Sequence, residues 1–497
     1  MSPDQSPSSP LAGDADAILA RLRELRSADA PTHGGRILSY VYDSGLAALD
    51  DLAAAAAREV QPVNGLDPTV FTSVATMERE LIAFARNAFQ GPGAVGSVTS
   101  GGTESCLLAV KAARDRVSRT GRGSVVLPTT AHVAFVKAAH VLDVDLVRVP
   151  VDPDSTSVDA DAVAGALRDD TFLIVASAPN YPTGVADPIG DLGRLALDRE
   201  IALHVDACLG GFALAWWPED LAPWDFAVPG VSSISADLHK YGYSPKGASI
   251  LLHADRDRHR AQYFATTDWP GYPVVNPTLL GSRSAAGLAA AWAIVQYLGD
   301  DGFRTLVAAI ARATTALRGT VEGIDGLRVV GDPVGPVFAV AADDSSASPI
   351  DPHRWARAVG DAGFELQLQP SFTQADSTVL PATTHLTVTP VTETVVDELS
   401  AALIGAADRT RGQAPAEPPQ ALADLAAAVD SGDASIGDLL ALPSSVTADV
   451  LVAAGIDPHD ADGELDMAAI VAAVQALPRP ITAKMLTEFL ASYTNPE

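Results

Sequence analysis

Ser235-Ala-Asp-Leu-His-Lys-Tyr-Gly-Tyr-Ser-Pro-Lys246 overlaps the end of a β-branched run at 231–235 and holds two of the chain's five lysines. The others are Lys111, Lys137 and Lys484, against 28 arginines in 497 residues. Where the chain could use arginine it nearly always does, so a retained lysine points to a property arginine lacks, the ability to lose its proton. Similar apolar runs at 124–127, 172–176, 201–205 and 248–252 are separated by helical stretches such as 104–117 and 189–199. Continuous apolar strands spaced by helices predict a mostly parallel sheet covered on both faces, an α/β architecture. Lys240 then stands just past the carboxyl end of a buried strand, the edge where open α/β sheets place ligands.

Working outward, residues 1–65 read as an N-terminal arm with helical patches at 15–26 and 45–58. Residues 66–325 form the large domain, closing on a long helix near 284–298 and another at 303–320. Strands expected at 327–341, 364–369 and 385–389 make 326–411 a smaller α+β domain. Pro-rich Gly412-Gln-Ala-Pro-Ala-Glu-Pro-Pro419 marks a linker at 412–420, and 421–497 is an Ala/Leu/Asp-rich helical extension. The length itself calls for more than one core, and no solenoid-type repeat is visible.

Composition excludes several classes. Apolar residues at 47% and charged residues at 19% rule out a disordered chain. A net charge of −29 repels nucleic-acid backbones and anionic membranes, leaving a small-molecule partner in a local basic pocket. Two cysteines, Cys106 and Cys208, make neither a disulfide framework nor a four-cysteine zinc site. The start of the chain lacks the apolar centre of a signal peptide. The longest apolar run, 285–298, is too short to span a bilayer and includes Gln296. A soluble cytoplasmic protein without a metal site is expected. Asp460-Ala-Asp-Gly463 resembles a calcium loop only superficially, because that register puts Pro458 and Ala469 at ligand positions.

Three segments fall at expected strand ends. Thr99-Ser-Gly-Gly-Thr-Glu104 opens a helix with small residues and free N–H groups that suit a phosphate, although alone such a segment is ordinarily only a helix start. In His204-Val-Asp-Ala-Cys208, Asp206 follows a buried strand and needs a cationic or N–H partner; a capping role is the ordinary reading. Lys240, partly desolvated, is expected to have a depressed pKa and to act as an amine nucleophile. Phosphate cradle, buried carboxylate and amine in this order are the parts that hold pyridoxal 5′-phosphate. His132, in Thr130-Ala-His-Val133, is placed to stack on its ring.

These stretches, with Ser177-Ala-Pro-Asn-Tyr-Pro-Thr-Gly184 and Thr267-Asp-Trp-Pro-Gly271 followed by Pro277-Thr-Leu-Leu-Gly-Ser-Arg283, carry a family resemblance. The chain resembles fold-type I pyridoxal-phosphate enzymes of the group II decarboxylase superfamily, and most of all the sphingosine-1-phosphate lyases, over about 33–410. The resemblance implies a large domain with a mostly parallel seven-stranded sheet and a small α+β domain, with the helical extension outside the match. It implies that Lys240 forms the imine, Asp206 pairs with the pyridine nitrogen and His132 stacks on the ring. Gly102, Thr103 and His239 would contact the cofactor phosphate. Asn180 and Cys208 fall beside the cofactor, and Gly281 and Ser282 would reach it from the neighbouring subunit of a homodimer. Tyr42, Tyr181 and Lys246 would face the substrate.

Departures from the pattern bear on the reaction. Asn64-Gly-Leu-Asp-Pro68 has Asp67 where lyases of this type carry a histidine for the substrate phosphate. A carboxylate beside a dianion opposes binding and offers Lys246 a partner. Archaeal tyrosine/aspartate decarboxylases of the superfamily resemble the chain there. Thr183 stands where the lyases often have a bulkier polar residue. An aldehyde-releasing lyase acting on a β-hydroxy amine is the leading expectation and an amino-acid decarboxylase the alternative. Aminotransferase-like chemistry and a non-catalytic assembly role stand further back, because a scaffold has no need of both Lys240 and Asp206.

Overall fold

The computed structural model describes residues 13–117, 121–456 and 466–494; Asp460–Gly463 lies outside them. A seven-stranded sheet organises the large domain: β1 Val95–Thr99, β2 Ser124–Pro128, β3 Asp145–Val149, β4 Thr171–Ser177, β5 Ala202–Asp206, β6 Val231–Ala236 and β7 Ser249–His253. Their order is β1-β7-β6-β5-β4-β2-β3. The five expected runs become β2 and β4–β7, while the edge strands β1 and β3 were not among them. Only β2, β4, β6 and β7 are buried at every residue. β3 is mostly half-exposed, so its pattern is weak.

β2 to β6 are joined in parallel, whereas β7 runs antiparallel to both β6 and β1. Two reversals restore direction, so the carboxyl end of β1 returns to the same edge as those of β2, β4, β5 and β6. That edge therefore receives the turn before the helix Gly102–Arg114 and the segments containing His132, Asn180, Asp206 and Lys240.

Two expected boundaries change. The helices near 284–298 and 303–320 are one kinked helix, Ala286–Glu322, with Gly299 at φ 52° and ψ −172°. Here glycine supplies a left-handed kink, and apolar periodicity resumes beyond it. The single run at 327–341 is two antiparallel strands, Leu327–Val329 and Val337–Ala342. Gly331 and Gly335 adopt φ 65° and 77° between them, and Pro333 cannot donate to a ladder. With Thr383–Thr387 and Gln367–Gln369 these strands form a four-stranded antiparallel sheet. A hairpin, Phe372–Thr373 with Val379–Leu380, projects from it.

Beyond Pro419, five helices among the described residues, from Gln420–Ser431 to Arg479–Ser492, enclose an apolar cluster that includes Leu422, Leu451, Leu477, Ile481 and Met485. Lys484 Nζ donates to the carbonyls of Leu439, Leu440 and Leu442, tying the last helix to the end of Ile436–Ala441. None of the described helices is long and apolar enough to cross a membrane.

The two sheets meet at Gly184, whose φ is +80° and whose carbonyl accepts from Val334 N at 2.8 Å. A Cβ there would lie 2.1 Å from the Val337 carbonyl oxygen. Gly184→Ala is expected to lower stability by about 1–3 kcal/mol, read as a lower urea midpoint at unchanged slope. An unchanged midpoint would show that this contact relaxes freely.

Candidate active site

Asp206 is the last residue of β5 and is almost fully buried. Its Oδ1 accepts from Cys208 N at 3.0 Å and Ser235 Oγ at 3.3 Å. Its Oδ2 has only the Cys106 thiol, at 4.0 Å. The N–H partner expected for this carboxylate is thus Cys208 N. Burial raises the pKa of the Cys208 thiol well above its ordinary value. That keeps a neutral group beside the carboxylate.

Lys240 follows β6, and its Nζ lies 2.9 Å from Asp237 Oδ2. Burial by itself would lower the lysine pKa, but the facing carboxylate outweighs it and holds Lys240 above its ordinary value. This corrects the expected depression. Asp237 shows the converse: burial would raise it, yet Lys240 and His239 hold it well below the usual carboxylate range. Asp237 sits inside the quoted lysine segment but was not singled out. An acid three residues before a lysine on a turn was the available signal.

His239 Nε2 approaches Asp237 Oδ2 at 3.4 Å, while its Nδ1 accepts weakly from Ala248 N at 3.3 Å. Gly102, at the start of its helix, faces the same carboxylate. A Cβ on Gly102 would meet the Asp237 oxygens at 2.8 and 2.9 Å and Cys208 Sγ at 2.9 Å. Thr103 is exposed at the mouth of this cradle. Glu104 fixes the turn, accepting from Ser100 N at 2.6 Å and from Leu279 N at 2.7 Å.

A cavity of about 640 Å³ opens beside Lys240 and brings together His132, Tyr42, Tyr181 and Lys246. His132 Nδ1 accepts from Ala134 N at 3.2 Å, which assigns the ring proton to Nε2. Burial lowers its pKa and keeps it neutral. Tyr181 stacks on His385 at 4.5 Å between centroids, a support the sequence did not suggest. Asn180 uses Oδ1 for Thr183 N and Oγ1, leaving Nδ2 buried without a partner. Lys246 Nζ donates to the His239 carbonyl at 3.1 Å and lies 4.5 Å above the Tyr42 ring. Burial and the charge of Lys240 lower Lys246 to about 8, and burial pushes Tyr42 up to about 12.

Three expected residues lie elsewhere in this subunit. Asp67 is exposed, outside the cavity lining, and its Oδ1 accepts from Thr69 N at 2.9 Å and Thr69 Oγ1 at 2.6 Å. Its side chain completes a local turn instead of pairing with Lys246. Ser282 Oγ accepts from Asn64 Nδ2 at 3.1 Å, and Gly281 has no neighbour within 4 Å of a built Cβ. Neither lines this cavity.

The family model for the pyridoxal-dependent decarboxylase conserved domain matches residues 69–323, just over half of the chain. The chain belongs to this family. It is 41% identical over 286 residues to the sphingosine-1-phosphate lyase of Dictyostelium discoideum, covering 56% of this chain and 54% of that one. Sphingosine-1-phosphate lyase 1 of Rattus norvegicus is 38% identical over 335 residues, covering 66% and 58%. The chain thus spans a little over half the length of these curated relatives. The solved sphingosine-1-phosphate lyase of Burkholderia pseudomallei matches with a TM-score of 0.74 and 32% identity, over 87% of this chain and 98% of that one. Glutamate decarboxylase of Lactobacillus brevis shares the fold at 20% identity and a TM-score of 0.69.

Pyridoxal phosphate is the cofactor of this family, and the residues fit it. Asp206 Oδ2, partnered by a weak thiol donor at 4.0 Å, can accept from a ring N–H, the Lys240 amine reaches the cavity, and the helix start at Gly102 offers backbone N–H groups where Asp237 and Cys208 leave no room for a Cβ. Overpacking this cradle by one methyl costs about 1–3 kcal/mol, so Gly102→Ala is expected to weaken pyridoxal phosphate binding about tenfold or more. Equilibrium dialysis of the folded variant measures it. Unchanged affinity would exclude this helix start as the phosphate cradle.

Proposed function

We propose that the chain is a carbon–carbon lyase that converts a β-hydroxy amine, phosphorylated or not, to an aldehyde and an amine. The two-ended cavity carries this reading. Lys240 gives it a cationic end with Lys246 and Tyr42 as hydrogen-bonding groups, and Val330, Leu368, Phe372 and Leu380 give it an apolar wall. Such a lining suits an amine with a polar head and an apolar body. The named relatives act as support at 38–41% identity.

The chemistry that pyridoxal phosphate supplies when bound is an electron sink for the pair released at the substrate's Cα. In this reading Lys240 would hold the cofactor covalently, and its amine would be released as the substrate amine takes its place. Asp206 keeps the ring nitrogen protonated, and His132, neutral and half-buried, covers the ring. Gly102, Thr103 and His239 hold the phosphate, with Asn180 and Cys208 beside the ring. Lys246 Nζ, lowered to about 8, takes the β-hydroxyl proton in its neutral form. Tyr42 and Tyr181 stay protonated and donate to the substrate head.

The same reading includes a cytoplasmic homodimer in which Gly281 and Ser282 complete the partner's phosphate site. An apolar patch supports it: Phe264, Trp269, Tyr272 and Val275 of the hairpin Phe264–Thr266 with Val274–Asn276, and Leu279 and Leu280, are all exposed here.

Product analysis on a panel of β-hydroxy amines and amino acids tests the reaction. Aldehyde in step with amine loss is expected, and carbon dioxide without aldehyde would make the chain a decarboxylase. Borohydride treatment of the holoenzyme is expected to fix the cofactor to the Lys240 peptide, and Lys240→Ala to fold but lose turnover.

A further inference from the structure

The helical extension reaches the apolar wall of the cavity. Arg479 opens the last helix, Arg479–Ser492. Its guanidinium lies 4.0 Å from the Phe372 ring centroid, and its Nη2 donates to the Thr373 carbonyl at 2.6 Å. Phe372 and Leu380 pair across the hairpin, and both line the cavity. The hairpin's other anchor is Gln374, which is buried and exchanges two hydrogen bonds with Val151, at 2.9 and 2.7 Å. Two strands of two residues each cannot hold a shape alone. The hairpin is thus clamped between the end of the large sheet and the extension. The family match, 69–323, ends well before the residue that supplies the second clamp.

We infer that Arg479 is a positioning residue that sets substrate specificity: by stacking on Phe372 it holds the wall against which the substrate's apolar body lies. The inference rests on the proposed reading for the kind of substrate. Arg479 touches neither Lys240 nor any other residue assigned to the chemistry, so its loss changes the fit of the apolar body and leaves bond breaking intact. The extension then shapes the site from outside the family match.

The test uses holoenzyme carrying Arg479→Ala or Arg479→Lys, with short- and long-chain β-hydroxy amines. A stacked, hydrogen-bonded guanidinium of this kind corresponds to about a five- to tenfold effect. Arg479→Ala is therefore expected to raise KM for the long-chain substrate by that factor. The short-chain KM and both kcat values should stay within about twofold. Arg479→Lys, which keeps the charge but not the planar fork, should fall between. Amide hydrogen exchange across residues 372–380 should quicken in Arg479→Ala. An unchanged ratio of long- to short-chain KM, or unchanged exchange in the hairpin, would overturn the inference. Calorimetric binding of decylamine to the same proteins separates its failure from failure of the lyase reading. If no β-hydroxy amine is turned over, weaker decylamine binding by Arg479→Ala still supports the clamp, and equal binding rejects it.

Discussion

A half-buried lysine and a buried aspartate, 2.9 Å apart past the end of β6, are the constraint around which this site is arranged. The buried carboxylate could not stay ionised there without its cationic partner. Together they stay charged, and the Asp237 carboxylate packs against the helix start at Gly102. Asp237 serves the lysine, and Asp206 is held separately by Cys208 N and Ser235 Oγ. Because Asp237 also faces Gly102, no side chain can stand there. The backbone N–H groups of that helix start are the proposed seat of the phosphate.

Much of this was legible in the sequence because buried parallel strands write themselves as unbroken apolar runs. Strands β4, β5 and β6 were found that way, and with them the edge on which Asp206 and Lys240 stand. The edge strand β3 alternates only weakly, and β1 has Gly96 and Ser97 in its middle, so neither produces such a run. The break at Gly331–Gly335 was hidden because apolar residues flank the turn on both sides. Charge was harder to read than position. Burial of Lys240 pointed to a lowered pKa, whereas the sign is set by Asp237, which only the fold brings within 3 Å. Asp67 was read through its neighbours in a motif, but its carboxylate is spent on Thr69, two residues away.

The cavity divides its labour by domain. The large sheet supplies the amines and the neutral histidine, and the small domain supplies the apolar wall through Leu368, Phe372 and Leu380. An enzyme built this way can keep its bond-breaking edge constant and change its substrate by altering the wall. The extension beyond Pro419 fits that logic, with Lys484 tying its helices together and Arg479 reaching back to the hairpin.

The charge state of Lys240 in the cofactor-free protein tests the account most directly. A lysine raised above 10.5 contributes stability fully below that pH and loses it only as pH climbs through the higher folded value. Carbon-13 NMR of the Lys240 ε-carbon, assigned with Lys240→Arg, follows this titration. The account predicts an ammonium signal that persists past pH 10.5 and titrates at lower pH in Asp237→Asn. A wild-type lysine that titrates below 10.5, with no change in the variant, would contradict it.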